Sequence, residues 1–224
     1  MSTPPVKRHP YAQWAPDARA LDLVGDKWTL LIVRDLMGGP RRFVELQRIL
    51  PGISTEQLRS RLNRMVADDL LTRQRYREVP PRVDYELTDR ARELAPVLGA
   101  LAQWGFDWTW SEPRSDERLD VGAVLRLVPG LLSPARALRG TLMCLVDERA
   151  YLLTAFNGKT TLVDPADPAT EADARVSGDT QAWVHALLPE GDSSGLHVEG
   201  RRDLADGLLD ELYEAAGRIE RRAA

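Results

Sequence analysis

Ser54-Thr-Glu-Gln-Leu-Arg-Ser-Arg-Leu-Asn-Arg-Met-Val-Ala67 is the stretch of sequence on which the fold prediction rests. Ser54 followed by Gln57 is a capping-box pattern, in which each side chain bonds the other residue's backbone N–H at the start of a helix. Apolar side chains then recur at helical spacing and predict a buried stripe, which consists of Leu58, Leu62, Met65 and Val66. The stretch therefore predicts a helix with a specified start and one inward face.

The side of this helix opposite the stripe is polar and basic. At about 100° per residue it carries Glu56, Gln57, Ser60, Asn63 and Arg64, with Arg59 and Arg61 on the two flanks. Glutamine, asparagine and arginine can pair with base edges in a major groove, whereas flanking arginines are better placed to contact phosphates. A solvated helix surface is the alternative interpretation, so the neighbouring segments have to decide between the two.

The segments upstream predict three further helices. Asp17–Val24 ends at Gly25, a second helix over 28–37 ends at Gly38-Gly39-Pro40, and Phe43–Leu50 precedes the tight turn 51–53. Core positions in the second helix are expected at Trp28, Leu31, Ile32 and Leu36. Helix, short glycine-containing turn and helix is the helix-turn-helix arrangement.

A basic β-hairpin is predicted directly after the candidate recognition helix. Residues 70–76 and Arg82–Leu87 have strand composition, and Pro80-Pro81 between them blocks further pairing. Helix-turn-helix followed by a basic hairpin wing favours binding to duplex DNA, because the wing cations can add sequence-independent affinity. The predicted DNA-contacting residues are Arg41, Arg42, Ser54, Thr55, Gln57, Arg59, Ser60, Arg61, Asn63, Arg64, Arg73, Arg75, Arg77 and Arg82.

One long helix is predicted from Asp89, capped by Thr88, to about Trp110. Its apolar stripe consists of Leu94, Val97, Leu98, Leu101, Trp104 and Trp108. The stripe could pack against its own domain or against the same helix of a second subunit. A two-fold dimer would set two recognition helices about 34 Å apart and imply an inverted-repeat operator.

Composition limits the classes of protein that need to be considered. A chain of 224 residues with 43% hydrophobic residues is long enough for two domains. We expect a cytoplasmic protein with no membrane segment, because neither a run of about 20 apolar residues nor a basic leader with an apolar stretch is visible. Cys144 is the single cysteine, and His9, His185 and His197 are far apart, so neither a disulfide nor a metal site nor any cofactor is predicted.

Charge is unevenly distributed along the chain, whose net charge is −4. Residues 1–113 hold 17 basic and 15 acidic side chains, whereas residues 114–224 hold 13 and 19. Within 41–82 there are 10 basic and 5 acidic residues, so positive charge is concentrated around the candidate recognition helix. This local excess is what a nucleic-acid partner requires.

The first half of the chain resembles the HxlR-type branch of the MarR-like winged helix-turn-helix transcriptional regulators, from about Ala15 to Trp104. The resemblance rests on residues 19–32, 39–46, 50–54, 58–62 and 79–88, which include Gly25-Asp-Lys-Trp28, Leu50-Pro-Gly-Ile-Ser54 and Asp84-Tyr-Glu-Leu-Thr88. It implies a dimeric regulator that binds operator DNA with the helix 54–67 and a wing at 73–82. Many members carry a thiol-sensing cysteine just before the proline that opens the first helix. Here that residue is Ala15, so we expect no redox sensing by that route.

The second half predicts a separate α+β domain with helices on one side of a mostly antiparallel sheet. The expected organisation is an arm at 1–14, a DNA-binding and dimerisation domain at 15–111, a charged linker at 112–120 and a C-terminal domain at 121–224. Strands are predicted at 140–146, 151–156, 159–163, 174–177 and 196–200, with Asn157-Gly158 as a hairpin turn. Helices are predicted around 121–132, after Asp179 and after Asp203.

This second half is similar to the sterol-carrier-protein fold, on residues 173–183 and 196–209. The resemblance implies an apolar tunnel between sheet and helices. Candidate lining residues are Leu142, Cys144, Val146, Leu153, Phe156, Trp183, Leu187, Leu208 and Leu212. Plain core packing is the alternative for these positions, and stabilisation of a dimer is another use for the domain.

The sequence thus predicts a homodimeric DNA-binding transcriptional regulator whose C-terminal domain senses a hydrophobic small molecule. The alternative is a winged-helix adaptor that binds protein, with a second domain that carries a lipid or only stabilises the dimer. An enzyme is not expected, because no nucleophile and base, paired carboxylates or phosphate-binding glycine loop has a recognisable setting.

Overall fold

A computed structural model of the chain describes residues 10–76, 82–135, 138–188 and 191–216. The chain packs as two compact units, of which the first extends to Leu94 and the second begins at Ala95. The sequence had suggested a division at 112–120.

The described residues of the N-terminal unit form five helices and a small sheet. The helices are α1 (Pro16–Val24), α2 (Thr29–Leu36), α3 (Phe43–Ile49), α4 (Thr55–Ala67) and α5 (Asp89–Arg92). The strands are β1 (Arg41–Arg42), β2 (Leu71–Tyr76) and β3 (Arg82–Leu87). The predicted helix-turn-helix and the two strands of the hairpin are confirmed, with boundaries within two residues of the expected ones.

Local sequence signals account for where these helices begin. Pro16 occupies the first turn of α1, where its missing N–H costs nothing. Asp26 caps α2, because its carboxylate accepts hydrogen bonds from the backbone N–H groups of Trp28 at 2.9 Å and Thr29 at 3.1 Å and from the Thr29 hydroxyl. The two helices are therefore fixed by side chains that directly precede or open them.

The sheet has one more strand than predicted. β3 lies between β2 and β1, with Arg73 opposite Tyr85 on one side and Arg41 opposite Tyr85 on the other. A two-residue strand has no periodicity that sequence analysis could detect. Its pairing ties the start of α3 to the hairpin.

The core of the N-terminal unit is built from the inward faces of its helices. Ile32, Leu36, Leu46, Leu58 and Leu62 are each fully buried. The predicted stripe of α4 is confirmed at Leu58, Leu62 and Met65, whereas Val66 is only partly buried. Trp28 and Leu31, also expected in the core, are partly buried as well, because Trp28 lies before the first residue of α2 and Leu31 lies on the side of α2 away from Leu36.

The single long helix expected from Asp89 is interrupted. α5 ends at Arg92, and α6 (Ala95–Trp108) begins three residues later. Pro96 explains the break, since it has no N–H to donate to the carbonyl of Arg92 and its ring clashes with that carbonyl in a continuous helix. α6 therefore starts as a new element, and it belongs to the C-terminal unit.

The C-terminal unit is α+β, as predicted. After α6 come α7 (Val121–Leu125), α8 (Val128–Leu131), β4 (Gly140–Val146), β5 (Arg149–Phe156), β6 (Lys159–Val163), β7 (Ala174–Gly178), α9 (Thr180–Ala186), β8 (His197–Gly200) and α10 (Arg202–Ala216). The strand order is β6-β5-β4-β7-β8, and all neighbours are antiparallel except β4 and β7. The predicted turn at Asn157-Gly158 has φ of 53° and 74°, which is the left-handed conformation that this dipeptide favours.

A buried ion network that the sequence did not predict lies under one end of this sheet. Arg126 is 2% exposed, and its guanidinium donates to Asp164 at 2.6 Å and to Asp120 at 3.3 Å. Gly122 lies beside it, where an added methyl group would approach the Tyr151 hydroxyl to 2.3 Å. Two carboxylates around one fully buried guanidinium fix the start of the domain to the loop after β6.

Two classes of site are absent from the described part of the chain. None of its helices is long and apolar enough to cross a membrane. In the same residues, no group of three or more histidine, cysteine, aspartate or glutamate side chains is arranged to hold a metal ion.

Candidate nucleic-acid interface

Side-chain hydrogen bonds hold the N-terminus of α4 in place. The Ser54 hydroxyl accepts from the Gln57 N–H at 3.2 Å, and the Gln57 side-chain oxygen accepts from the Ser54 N–H at 3.1 Å. The side-chain amide of Gln47 on α3 donates to the Thr55 hydroxyl at 2.6 Å. Ser54 and Thr55, both predicted to contact DNA, therefore orient the helix. Gln57 uses its oxygen in the cap, which leaves its NH2 group pointing away from the cap.

The outer face of α4 is exposed, as predicted. Gln57, Arg59, Ser60 and Asn63 are exposed together with Glu56. Arg59 pairs with Glu56 at 3.3 Å, but both side chains are largely solvated, so this pair contributes little to folding. Hydrogen-bonding groups that are not used by the fold are what contact with base edges requires. We call this face, formed by Glu56, Gln57, Arg59, Ser60 and Asn63, the polar face of α4.

Two arginines of α4 that were predicted to contact DNA are used by the fold. Arg61 pairs with Asp26 at 2.9 Å, and both side chains are about three-quarters buried. Arg64 lies 3.7 Å from Asp68 and is also mostly buried. Both guanidinium groups thus have carboxylate partners inside the N-terminal unit: Arg61 holds α4 to the segment before α2, and Arg64 pairs with the C-cap residue of α4 itself. Their assignment to the DNA-contacting surface is a prediction that the geometry does not favour.

Arg41 was also predicted to contact DNA, and its geometry does not favour that prediction. Its side chain is only 8% exposed, and Nε donates to the backbone carbonyl of Asp35 at 2.7 Å. The pairing of β1 with β3 turns Arg41 inward and Arg42 outward. Arg42 is exposed, and its guanidinium lies 3.9 Å from Asp84.

The wing presents cations on β2. Arg73 and Arg75 are exposed, and the Arg73 guanidinium lies 5.9 Å from the centre of the Tyr85 ring. Arg82 on β3 is committed to the buried carboxylate of Asp84 at 2.6 Å and lies over Tyr76. Arg77 lies outside the described residues. Among the described wing arginines, Arg73 and Arg75 are therefore the ones available for an external anion.

A depression of about 270 Å³ lies between α4 and the wing. It is lined by Phe43, Arg59, Asn63, Arg73, Val83 and Tyr85. Arg59, Asn63 and Arg73 were predicted from sequence, and the structure brings them to one place. Phe43, Val83 and Tyr85 were not predicted, because their contribution depends on how the hairpin packs. Two cations beside one amide give a surface that suits the phosphate backbone of a nucleic acid next to its base edges.

A second exposed surface lies on α6. Val97, Leu101, Trp104 and Trp108 are 48%, 53%, 57% and 66% exposed. Their spacing of four, three and four residues places them in one row along the helix. Leu98 and Phe106, on the other side of the helix, are buried. An exposed apolar row of this kind, with two tryptophans, is typical of a surface that is covered by another protein.

The predicted ligand-lining residues lie in the core of the C-terminal unit, with one exception. Eight of them are at most 4% exposed and belong to one continuous hydrophobic cluster: Leu142, Cys144, Val146, Leu153, Trp183, Leu187, Leu208 and Leu212. Phe156 is 60% exposed with the Arg139 guanidinium over its ring, because it is on the opposite face of β5 from Leu153.

A separate groove of about 890 Å³ lies between residues 112–119 and α9.

Cys144 is a structural residue. It is buried in β4, and desolvation raises the pKa of its thiol to about 12. The thiolate that oxidants and electrophiles attack is therefore scarce at neutral pH. Ala15, at the N-cap of α1, occupies the position before Pro16 where a thiol-sensing cysteine would lie, so that position offers no thiol either.

Comparison with known proteins gives matches to the first half of the chain. Residues 23–113 match the model of the HxlR-like helix-turn-helix. An HTH-type transcriptional regulator of Synechocystis is 42% identical over 97 residues, which are 43% of this chain and 72% of that protein. One of Halalkalibacterium halodurans is 42% identical over 94 residues, 42% of this chain and 83% of that protein. The reduced form of the regulator YodB from B. subtilis is 32% identical, covers 46% of this chain and 100% of that one, and has a TM-score of 0.39.

Proposed function

Because this chain belongs to the HxlR-like helix-turn-helix family of transcriptional regulators, we propose that it binds an inverted-repeat operator as a homodimer. Its relatives are regulators and not enzymes. The observation that carries the proposal is the polar face of α4, which is exposed, held by a complete cap and flanked by the cations of the wing.

The residues of this surface divide into two roles. Gln57, Ser60 and Asn63 project from the centre of the polar face of α4 and would contact base edges, since amides and hydroxyls pair with bases in the major groove. Arg59, Arg73 and Arg75 lie around them and would contact phosphates, which adds affinity without sequence preference. Arg61 holds α4 to Asp26, and Arg64 pairs with Asp68 at the end of α4 itself, so neither is assigned a DNA contact.

The apolar row on α6 supports the homodimer. Four large apolar side chains in one row would bury a continuous strip if the same row of a second copy packed against them. An isologous pair of helices then relates the two copies of α4 by a two-fold axis, which is the symmetry of an inverted repeat. Two half-sites about 34 Å apart, in inverted orientation, are the corresponding operator.

We assign signal reception to the C-terminal unit. The family's segment ends near residue 113, and Cys144 is too deeply buried and too weakly acidic to act as a thiol sensor. An apolar effector could enter the hydrophobic core only by displacing packed side chains, whereas the groove between 112–119 and α9 is open and is lined in part by Leu119, Val184 and Leu188. Native mass spectrometry of protein purified without detergent would detect a retained small molecule, and its absence from every preparation would count against this assignment.

Operator binding is tested with three full-length variants. The probe is the duplex that the parent protein selects from a randomised library. Asn63→Ala should lower affinity for this duplex about tenfold or more while non-specific affinity changes little, because a base contact carries discrimination. Arg75→Ala should lower affinity for all duplexes alike and make the salt dependence shallower by about one phosphate contact.

Arg114→Ala is the matched control for the loss of positive charge. Arg114 is an exposed arginine of the C-terminal unit that pairs with Glu117 at 3.8 Å. Its removal should leave operator affinity and salt dependence at the parent values. If Asn63→Ala and Arg75→Ala behave like this control in a parent that binds DNA, the polar face of α4 is not the recognition surface.

A further inference from the structure

α6 has two faces with different neighbours. Its outer row, Val97, Leu101, Trp104 and Trp108, is the proposed contact with a second copy. Its inner face carries Leu98 and Phe106, and Phe106 is part of the same hydrophobic cluster as the sheet and α10. The helix thus lies within the segment that matches the regulator family and also within the core of the C-terminal unit.

The inner face meets α8 at backbone distance around two glycines. A methyl group added to Gly99 would lie 1.9 Å from the carbonyl oxygen of Gly130. A methyl group added to Gly130 would lie 1.8 Å from the carbonyl oxygen of Ala95. Such distances are far below any van der Waals contact, so both positions require glycine. Because the two backbones are already in contact here, a displacement of α8 toward α6 displaces α6.

α8 and α6 are in turn joined to the rest of the C-terminal unit by hydrogen bonds. The buried hydroxyl of Thr160 on β6 donates to the carbonyl of Val128 at 3.0 Å and lies 3.5 Å from that of Leu132. The side-chain amide of Gln103 donates to the carbonyl of Ala215 on α10 at 3.2 Å. The bond from Thr160 holds α8 to the sheet, and the bond from Gln103 holds α6 to α10. The two helices that meet at Gly99 and Gly130 are therefore each fixed by another element of the unit.

We propose that the C-terminal unit sets operator affinity by positioning α6, and that the contact of Gly99 with Gly130 is the coupling point. This inference rests on the proposed homodimer. α6 follows directly after Leu94, the last residue of the N-terminal unit, and its outer row packs against the second copy. In this proposal a shift of α6 on α8 changes the separation of the two recognition helices in the dimer. The operator binds tightly only to a dimer whose recognition helices are spaced to match the helical repeat of DNA.

The test uses Gly99→Ala in the full-length protein, with two measurements. The first is affinity for the duplex that the parent selects from a randomised library. The second is the distance between spin labels on Ser60→Cys of the two copies, obtained by double electron–electron resonance. The native thiol does not interfere, because Cys144 is buried and the pKa of its thiol is about 12. Gly207→Ala on α10 is the matched control, since its added methyl group would meet only Leu138 side-chain atoms at 3.4 Å.

Gly99→Ala should lower operator affinity about tenfold or more and shift the label-to-label distance, while sedimentation shows that the dimer is retained. Gly207→Ala should keep affinity within about twofold and the parent distance. A folded Gly99→Ala dimer with the parent's affinity and distance would overturn the proposal.

If Gly99→Ala does not fold, Thr160→Val is the variant to measure. This substitution removes the hydroxyl that holds α8 and adds no volume. It should weaken operator binding several-fold and broaden the distance distribution, and Thr160→Ser should restore both. Parent-like behaviour of Thr160→Val overturns the coupling. Failure of the proposed function looks different, because the parent protein itself then selects no duplex or sediments as a monomer.

Discussion

The arginines around the helix-turn-helix form two groups that the sequence does not distinguish. Arg41, Arg61, Arg64 and Arg82 pair with carboxylates or carbonyls inside the N-terminal unit. Arg59, Arg73 and Arg75 are exposed. Local positive charge is therefore a poor guide to the binding surface, because four of these seven arginines already have a partner inside the fold.

The difference between the two groups lies in their partners and not in their spacing. Arg59 and Arg61 are two residues apart on one helix, yet the partner of Arg59 is the solvated Glu56 of the same helix and the partner of Arg61 is Asp26, which precedes another helix. The second pairing joins two elements and excludes water. An exposed arginine such as Arg59 can exchange its carboxylate partner for a DNA phosphate at little cost in free energy.

Arg41 gives the largest expected effect on stability. Arg41→Ala should lower the free energy of unfolding by about 3 kcal/mol, because it removes a buried charged donor and leaves the Asp35 carbonyl without that bond. Urea denaturation with an unchanged m-value measures this loss. The operator affinity of the folded fraction should stay at the parent value. A small loss of stability together with weaker DNA binding would show that Arg41 contacts DNA, as the sequence predicted.

The pair Arg59→Ala and Arg61→Ala separates the two groups within one helix. Arg59→Ala should lower affinity for any duplex about five- to tenfold and reduce its salt dependence by about one contact, with stability almost unchanged. Arg61→Ala should cost about 1 kcal/mol of unfolding free energy, since its partly buried pair with Asp26 is lost, and should leave the salt dependence as it was. Filter binding at several salt concentrations and urea denaturation measure both quantities for each variant. If the two variants exchange these behaviours, the division of the arginines is wrong.

Sequence patterns predicted the elements whose signals are local. The cap at Ser54 and Gln57, the strand composition of the hairpin and the turn at Asn157-Gly158 each need only neighbouring residues, and each is present. The break before Pro96 also has a local signal in the proline itself, whereas the apolar stripe that continues past it predicts an unbroken helix.

What the sequence could not show depends on tertiary contacts. Asp26 was not predicted to hold Arg61, because 35 residues separate them and their pairing follows from how α2 and α4 pack. The burial of Arg41 follows from a two-residue strand, and the contact of Gly99 with Gly130 from a crossing of α6 and α8. The polar face of α4 was predictable residue by residue. Which of its charges remain available was not.

The smallest expected effect concerns Glu56, the carboxylate of the exposed pair. Glu56→Gln removes a negative charge from the polar face of α4 and releases Arg59, so affinity for duplex DNA should rise about two- to threefold, with a steeper salt dependence. Asp203→Asn is the charge-matched control, because Asp203 is an exposed partner of Arg201 in the C-terminal unit. It should leave binding unchanged. Unaltered or weaker binding by Glu56→Gln would show that the released Arg59 does not contact phosphate, which would remove Arg59 from the contact surface.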